Sequence, residues 1–453
     1  MASSPEAEMT SDQQHLLHSL HSKAETQHAH LWVEGRGAVL VDEMGREFLD
    51  ALSGLWNVII GHGRPELGQA AAKQMEKLAY ASSYSGSTNR PSIELAERLA
   101  QLTYPSINRF FFTSGGAESN ESAFKTARYF WKLQGRPKKT HIISRVWGYH
   151  GVTLAAMSAT GIASYWPMFE PRTPGFSHIA SPYPYRFQLS PEDQAAGKTS
   201  GQAAADLLEA EILRLGADNV AAFLGEPIQG AGGVIVPPDD YWPRIREICD
   251  RHQVLLIADE VITGFGRTGD WFGLSRYQVE PDIITFAKGI TSGYFPFGGI
   301  GLNDTLSAAI DSAPADKKWM HAFTYSGHPA GCAVALANLD ILERESLLPR
   351  AAALGQRLLT GLKTLESHPH VGEVRGLGLM TAVELVADKT TKAEFPPTEQ
   401  VGPRVHAATQ RLGMFTRLRG DVYNLAPCFV TEESQIDRMV QILGQAIEEV
   451  LGK

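Results

Sequence analysis

The sequence predicts an α/β protein in which a large domain surrounds a mostly parallel sheet and both chain ends build a smaller domain. The 453 residues are too many for one hydrophobic core. Between residues 65 and 302, helical patterns alternate with short apolar runs, which is typical of a sheet covered by helices on both faces. Helical patterns dominate from residue 329 onward. We therefore predict a large domain at 61–328, with 1–60 and 329–453 contributing the small one.

The first thirty residues predict loose structure or a short helix. His15, His18 and His21 recur at every third residue and could share one helix face. No carboxylate or cysteine completes a ligand set with them, which favours a solvated amphipathic helix over a metal site. The apolar residues of that helix would be Leu16, Leu17 and Leu20. We predict no metal cofactor.

Periodicity predicts the elements that follow. Residues 31–49 alternate between apolar and polar side chains with glycines at the turns, and predict a small antiparallel sheet. Helices are predicted at 65–80, 91–102 and 118–133. Strands of the large sheet are predicted at 109–113, 141–144, 220–224, 254–258, 283–286 and 298–302. Two further strands are predicted near the C-terminus, at 379–386 and 422–425.

The composition excludes several classes of partner. A net charge of −9 without a Lys/Arg block gives no reason to expect nucleic acid or an anionic membrane. The three cysteines are far apart and form no CxxC pair, which indicates a reducing compartment. No apolar run resembles a signal peptide or reaches membrane-spanning length. We predict a cytoplasmic protein.

Ligands of an open parallel sheet bind beyond the carboxyl ends of its strands, so the residues that follow each apolar run are candidates for a binding site. After the run that ends at Thr113 come Ser114, Gly115, Gly116 and Ala117, and then a helix. Small residues before a helix N-terminus can bring free N–H groups to a phosphate. A plain helix cap with glycine spacing is the alternative.

Two acids and a lysine follow other strands. Glu226 and Asp259 each come at the end of an apolar run, where an acid can cap a loop, bind a metal or pair with a cationic ring nitrogen. Lys288 also follows an apolar run, and a partly desolvated lysine becomes a usable nucleophile and base. The alternative is a lysine that extends to the surface.

Together these groups match the needs of a pyridoxal-phosphate (PLP) site, which takes a phosphate cup, an acid for the pyridine nitrogen and a lysine. Tyr149, after the strand at 141–144, adds an aromatic face for the ring. A competing motif, Gly264 to Gly269, matches G-x-G-x-x-G. A dinucleotide site requires a helix to open at that loop, and the chain after Gly269 does not predict one.

From about Leu31 onward the sequence resembles the class III (ω-) aminotransferases, most closely the amine:pyruvate or β-alanine:pyruvate branch. The resemblance is carried by "SGGAESNESAFKTAR", "WGYHG", "GEPIQGAGGVIVPP", "LLIADEVITGFGRTG", "FAKGITSGYFPFGG", "FTYSGHPAGCAVALAN" and "VRGLGLMTAVEL". It implies a seven-stranded sheet of PLP fold type I and a homodimer with shared active sites. It also implies ping-pong transfer of an amino group from an amine or ω-amino acid to a keto acid.

The resemblance also implies roles for individual residues. Lys288 matches the Schiff-base lysine and Asp259 the acid at the pyridine nitrogen. The other matched cofactor positions are the cup at Ser114, Gly115, Gly116 and Ala117, the ring contacts Tyr149, His150 and Val261, the acid Glu226 that orients the Asp259 region, and Thr324, which would reach the phosphate from the partner subunit. Ala117 departs from the family, which often has serine there, and Ser119 is the candidate to compensate.

The substrate pocket is implied by fewer residues. Trp56 matches the aromatic wall of amine:pyruvate enzymes, and Tyr84 and Tyr165 are expected to line the same space. Arg417 matches a mobile arginine that binds the acceptor carboxylate, with Arg419 as a competing candidate. Other class III activities stay open as alternatives, namely a 2-oxoglutarate-dependent aminotransferase, an aminomutase and a dialkylglycine-type decarboxylase. A non-PLP nucleotide-binding protein is the third class considered.

Overall fold

Three sheets form the framework of the protein, whose computed structural model describes residues 4–20, 22 and 30–452. The strands, numbered along the chain, are β1 (Trp32–Arg36), β2 (Val39–Asp42), β3 (Glu47–Asp50), β4 (Ile107–Thr113), β5 (His141–Arg145), β6 (Phe176–Ile179), β7 (Val220–Gly225), β8 (Leu255–Asp259), β9 (Ile283–Phe286), β10 (Gly298–Asn303), β11 (Val371–Leu377), β12 (Met380–Leu385), β13 (Met414–Phe415), β14 (Arg417–Arg419) and β15 (Val422–Leu425).

The central sheet has seven strands in the order β4-β10-β9-β8-β7-β5-β6. Only β10 runs against its neighbours β4 and β9. The prediction of a mostly parallel seven-stranded sheet is therefore confirmed. The six predicted strands each lie within two residues of their observed ends. The seventh, β6, was not predicted, because its short sequence alternates too little and most of it is only half-buried.

Helices cover both faces of this sheet, and the helices nearest the C-terminus pack on the smaller sheets and on one another. They span Pro65–Lys77, Arg90–Leu102, Gly116–Leu133, Leu154–Ala159, Pro191–Ala195, Ser200–Leu215, Tyr241–His252, Asp304–Asp311, Pro329–Arg344, Leu347–Lys363, Val401–Arg411 and Glu433–Leu451, with a short helical turn at Ser53–Trp56. The helix that follows β4 buries Phe124 and Phe130 against the strands. This packing fixes the helix N-terminus beyond the carboxyl end of β4.

The two smaller sheets bring the chain ends together. The N-terminal sheet has the order β1-β2-β3-β13, and its last strand comes from the C-terminal region and lies parallel to β3. The other sheet, β11-β12-β15-β14, is antiparallel throughout. The pairing of β13 with β3 supports our proposal that both termini contribute to one small domain.

The N-terminal prediction needs correction. The first helix spans Pro5–His15 and buries none of its residues. His18 lies beyond its end and contacts Asp12 at 2.8 Å, and His21 lies outside the described residues. The predicted helix face is therefore wrong, and its leucines Leu16, Leu17 and Leu20 are exposed beyond the helix. Within residues 4–20, 22 and 30–452, no three side chains are grouped to hold a metal ion.

The G-x-G-x-x-G motif forms a buried loop rather than the start of a helix. Gly266 and Gly269 both have φ of +98°. A Cβ on Gly266 would come within 3.0 Å of Leu348 and Phe429, so the loop is packed against the C-terminal part of the chain. In the described part of the chain, no helix is long and apolar enough to cross a membrane.

Candidate active site

One residue, Ala287, separates Lys288 from the end of β9, and Lys288 has an unusual backbone conformation. Its φ is +45°, in the left-handed region that side chains other than glycine rarely adopt. No acceptor among the described residues hydrogen-bonds its Nζ. Burial lowers the pKa of Lys288 to about 8, although the negative charges of Asp259 and Glu226 oppose this shift. A lysine with such a pKa is a much better nucleophile at neutral pH than an exposed one.

Asp259, the last residue of β8, is a buried and well-held carboxylate. Its Oδ2 accepts hydrogen bonds from Asn120 Nδ2 at 2.9 Å and His150 Nδ1 at 2.7 Å. Its Oδ1 accepts one from the Val261 amide at 3.1 Å. Burial alone would raise the pKa of Asp259, but the hydrogen bonds and the charge of His150 lower it below its usual range. The carboxylate is thus kept ionised in a dry environment.

Asn120 was missed as a site residue by the sequence analysis. It lies one turn into the helix after the cup and is buried. Its Nδ2 donates to Asp259 and also to the carbonyl oxygen of His150, at 2.8 Å. Asn120 was within the family motif, but an amide inside a helix carries no sign of what it faces. Only the fold brings it to the end of β8.

The hydrogen bonds of Glu226 go to two backbone amides rather than to Asp259. Its Oε1 accepts the amide of Tyr149 at 3.0 Å, and its Oε2 accepts the amide of Gly230 at 2.9 Å. The carboxylate therefore positions the loop that carries Tyr149. Burial raises the pKa of Glu226, against the opposing effects of His150 and of these two amides. The expected role is taken instead by Asn120 and His150.

The residues of the predicted phosphate cup lie before and at the start of the helix that follows β4, and two of the expectations for them need correction. The N–H of Ser114 already donates to Glu118 Oε2 at 2.8 Å, so it is not free for a ligand. Ser119 cannot replace the hydroxyl missing at Ala117, because its Oγ is buried against Thr113 Oγ1 and backbone oxygens. Within the described chain, the amides of Gly115, Gly116 and Ala117 have no acceptor, and they lie at the positive end of the helix.

The cup lies beside the other cofactor positions. A Cβ on Gly116 would be 3.0 Å from Val261 Cγ1. A Cβ on Gly151, two residues after Tyr149, would be 2.7 Å from Ala117 Cβ. The glycines allow these close approaches, which draw the ends of β4, β5 and β8 around one space.

Two of the predicted substrate residues, Tyr165 and Arg417, lie near the predicted cofactor contact Tyr149. The rings of Tyr149 and Tyr165 are 5.7 Å apart and tilted. Burial raises the pKa of both phenols, and the charge of Arg417 acts in the opposite direction on each. Arg417 is exposed, and its guanidinium forms no ion pair or hydrogen bond with any described residue. Its guanidinium is therefore available to a ligand.

The remaining predicted residues are placed differently. Trp56 is only 4% exposed and packs with Leu52 and Ile262 in an apolar cluster, so little of its ring is open. Tyr84 is 57% exposed, and Thr324 is exposed as well. The carbonyl oxygen of Thr324 accepts a hydrogen bond from Tyr80, but no contact within the single chain joins its side chain to the cup.

These residues fit PLP on their own chemistry. A buried carboxylate can pair with a protonated ring nitrogen, free amides at a helix N-terminus suit a phosphate, and an unpaired lysine of lowered pKa suits an aldehyde. When bound, PLP acts as an electron sink for carbanions. Asn120 Oδ1 and His150 Nε2 are buried without a partner among the described residues.

Comparison with known proteins identifies the class to which this fold and site belong. The family model described as aminotransferase class-III matches residues 21–447. The chain therefore belongs to the class III aminotransferases, which are PLP-dependent enzymes.

Individual relatives differ in the substrates for which they are named. The chain is 40% identical over 424 residues to a putrescine–pyruvate aminotransferase of Pseudomonas aeruginosa, covering 93% of this chain and 91% of that protein. It is 39% identical to a diaminobutyrate–2-oxoglutarate transaminase of Halomonas elongata, covering 92% and 89%. A solved structure, an (S)-enantioselective ω-transaminase from Thermomicrobium roseum, is 47% identical with a TM-score of 0.94 over 100% of both chains.

Proposed function

We propose that this aminotransferase moves an amino group from an amine or ω-amino acid to pyruvate in a ping-pong reaction. The observation that carries the proposal is the exposed, unpaired guanidinium of Arg417 beside Tyr149 and Tyr165. An arginine suits a keto-acid carboxylate because its planar fork can bind both oxygens. The aromatic surroundings suit an apolar amine in the other half-reaction.

Three side chains, Lys288, Asp259 and Glu226, would have different roles in the proposed reaction. Lys288 would hold the cofactor through its Nζ and, when that amine is free, would serve as the base that moves a proton at the substrate carbon. Asp259 is held by Asn120 and His150 and would pair, in its ionised form, with a protonated pyridine nitrogen. Glu226 holds the loop with Tyr149, whose ring would offer an aromatic face to the cofactor. PLP itself supplies the electron sink.

An acceptor and donor screen tests the substrate class. With one arylalkyl amine as donor, pyruvate should yield alanine. The named activity of the putrescine–pyruvate relative supports pyruvate, whereas the diaminobutyrate relative would favour 2-oxoglutarate. Use of 2-oxoglutarate alone would refute the pyruvate assignment. An amino shift within one substrate, or release of carbon dioxide, would indicate an aminomutase or a decarboxylase instead. We expect preference for the S amine.

The role of Lys288 is tested by substitution and trapping. Borohydride reduction of the wild-type enzyme should leave the cofactor attached to the peptide that contains Lys288. Lys288→Ala should abolish turnover and this attachment while the far-ultraviolet dichroism stays unchanged. A retained transamination rate, or attachment to another lysine, would refute the assignment.

We further propose a cytoplasmic homodimer whose partner chain completes the cup with Thr324. Segments 80–84 and 324–327 lie side by side through hydrogen bonds from Tyr80 to Thr324 and from Ser83 to Ser326. They expose aromatic rings, with Tyr325 61% exposed. Such an exposed aromatic surface marks an interface. Light scattering should give twice the chain mass, and Tyr325→Asp should yield inactive monomers. An active monomer would refute this proposal.

A further inference from the structure

Arg419 is a largely buried cation without an ionic partner in the described part of the chain. Its guanidinium carbon lies 4.2 Å from the centroid of the Trp147 ring. Its Nε is buried and has no hydrogen-bond partner within the described residues. Glu384, whose charge acts on Arg419, is already engaged by Arg375 at 2.8 Å and by Arg186 at 2.6 Å. The stack on Trp147 is thus the closest interaction that holds the guanidinium.

Arg419 and Arg417 lie on the same strand, two residues apart. Residues i and i+2 of a strand point to the same face of the sheet, so both arginines extend from one side of β14. Arg419 reaches Trp147, and the charge of Arg417 acts on Tyr149. The strand β14 therefore faces the loop 147–149, with Arg419 close to Trp147 and Arg417 near Tyr149.

Gly232 and Gly233 also lie close to the stack of Arg419 on Trp147. Trp147 has a φ of +66°, and such strained residues persist where their surroundings fix them. A Cβ on Gly232 would be 2.3 Å from the carbonyl oxygen of Trp147, and a Cβ on Gly233 would be 3.4 Å from Arg419 Nε. The loop with Gly232 and Gly233 therefore packs against both Trp147 and Arg419.

We propose that Arg419 is a positioning residue, whose stack on Trp147 fixes β14 against the Tyr149 loop and thereby sets where Arg417 meets the substrate carboxylate. The inference rests on the proposed carboxylate-binding role of Arg417. A planar guanidinium can lie flat on an indole ring, and an ammonium group cannot reproduce this arrangement. The position of Arg419 beneath Trp147 also removes it from competition as the carboxylate ligand.

The test compares Arg419→Met and Arg419→Lys with the wild-type holoenzyme. Both should raise the KM for the keto acid about tenfold, as expected for the loss of a desolvated cation–π contact, with kcat changed less than about threefold. The KM for an apolar arylalkyl amine should stay unchanged. Arg136→Met is the matched control, because Arg136 stacks on Trp131 at 5.2 Å near the amino end of β5, away from the site. This control should alter neither KM.

A double-mutant cycle separates positioning from direct contact. If Arg419 acts through Arg417, Arg419→Met should cause no further rise in the keto-acid KM when Arg417→Ala is already present. An additive rise would show that Arg419 binds the carboxylate itself, and would overturn the inference. Equal increases for amine and keto acid, or no increase at all, would also overturn it. Failure of the proposed role of Arg417 is distinguishable, because Arg417→Ala alone would then leave the KM for the keto acid unchanged.

Discussion

At the scale of single residues, the buried amide of Asn120 controls the charge of Asp259. Its hydrogen bond to Oδ2, at 2.9 Å, favours the ionised carboxylate. Asn120→Ala should therefore raise the pKa of Asp259 and weaken cofactor binding about tenfold to hundredfold, as expected for a hydrogen bond to a charged group. The dissociation constant of PLP, measured by fluorescence titration, checks this.

A matched control exists at the opposite edge of the sheet. Asn303 Nδ2 donates to Asp282 Oδ1 at 2.9 Å, in a pair of the same chemistry. Asn303→Ala should lower the melting temperature without changing PLP affinity. Because a lowered carboxylate pKa favours the charged form down to lower pH, the acidic limb of PLP binding should move to higher pH in Asn120→Ala. An unmoved limb would contradict the role assigned to Asn120.

The lowered pKa of Lys288 predicts how its reactivity depends on pH. Only the neutral amine attacks an aldehyde, and a pKa of about 8 leaves roughly a tenth of Lys288 neutral at pH 7. The rate of PLP attachment to the cofactor-free enzyme should rise through pH 8 and level off above it. Since Asp259 raises this pKa, Asp259→Asn should shift the midpoint to lower pH. A wild-type midpoint near that of an exposed lysine would refute the prediction.

At the scale of secondary-structure elements, the start of the helix Gly116–Leu133 depends on the absence of a side chain at its first residue. A Cβ on Gly116 would lie 3.0 and 3.1 Å from the two γ-carbons of Val261. Gly116→Ala should therefore destabilise the cofactor-free protein by about 1–3 kcal/mol, the usual cost of overpacking. Thermal unfolding should show the loss, and Val261→Ala in the same chain should restore most of it.

Gly115 provides the control for this helix start. A Cβ on Gly115 would meet no atom within 4 Å, and its φ of 173° is extended backbone that any residue adopts. Gly115→Ala should leave the melting temperature of the cofactor-free protein almost unchanged. Equal losses for both glycines would show that space at Val261 is not the cause.

Strands with a fully buried apolar sequence could be predicted, whereas a short polar strand could not. The strands β7 and β9 are buried at every residue and appear in the sequence as continuous apolar runs. By contrast β14 consists of two arginines and a leucine, and no local pattern marks it as a strand. This segment forms a strand because its backbone hydrogen-bonds to the edge of β15, and that contact belongs to the tertiary structure.

At the scale of the whole molecule, Arg267 joins the large sheet to both chain ends. It is completely buried, and it donates to the carbonyl oxygens of Ala426 and Pro427 and to Ser53 Oγ. Burial lowers the pKa of Arg267 to about 10. The residue belongs to the glycine motif that sequence analysis had set aside. That motif gave no hint of its contacts, because they come from residues more than 150 positions away.

Arg267→Met should lower the melting temperature strongly, since each buried carbonyl left without a donor costs about 1–3 kcal/mol. Arg214→Met is the control, because Arg214 pairs with Glu211 on an exposed helix surface and should have little effect. The thermal midpoints of both variants check this. A similar midpoint for Arg267→Met and the wild type would show that water replaces the guanidinium.

The site as a whole was only partly predictable, because many of its contacts join residues that are far apart in the sequence. Lys288 and Asp259 could be identified because each directly follows or ends a buried strand, so its place at the sheet edge follows from the chain itself. The hydrogen bond from Asn120, the loop-holding role of Glu226 and the inward-facing Ser119 depend on side-chain directions. Those directions are set by packing between elements far apart in the sequence.

The left-handed backbone of Lys288 implies a conflict between folding and catalysis. The chain places its reactive amine where a side chain is disfavoured, at about 1–3 kcal/mol for such a conformation, and then strips that amine of water. Without cofactor, Lys288→Gly should therefore melt at a higher temperature than Lys288→Ala, and both above the wild type. The native lysine would then be a residue that selection for activity retains against selection for stability.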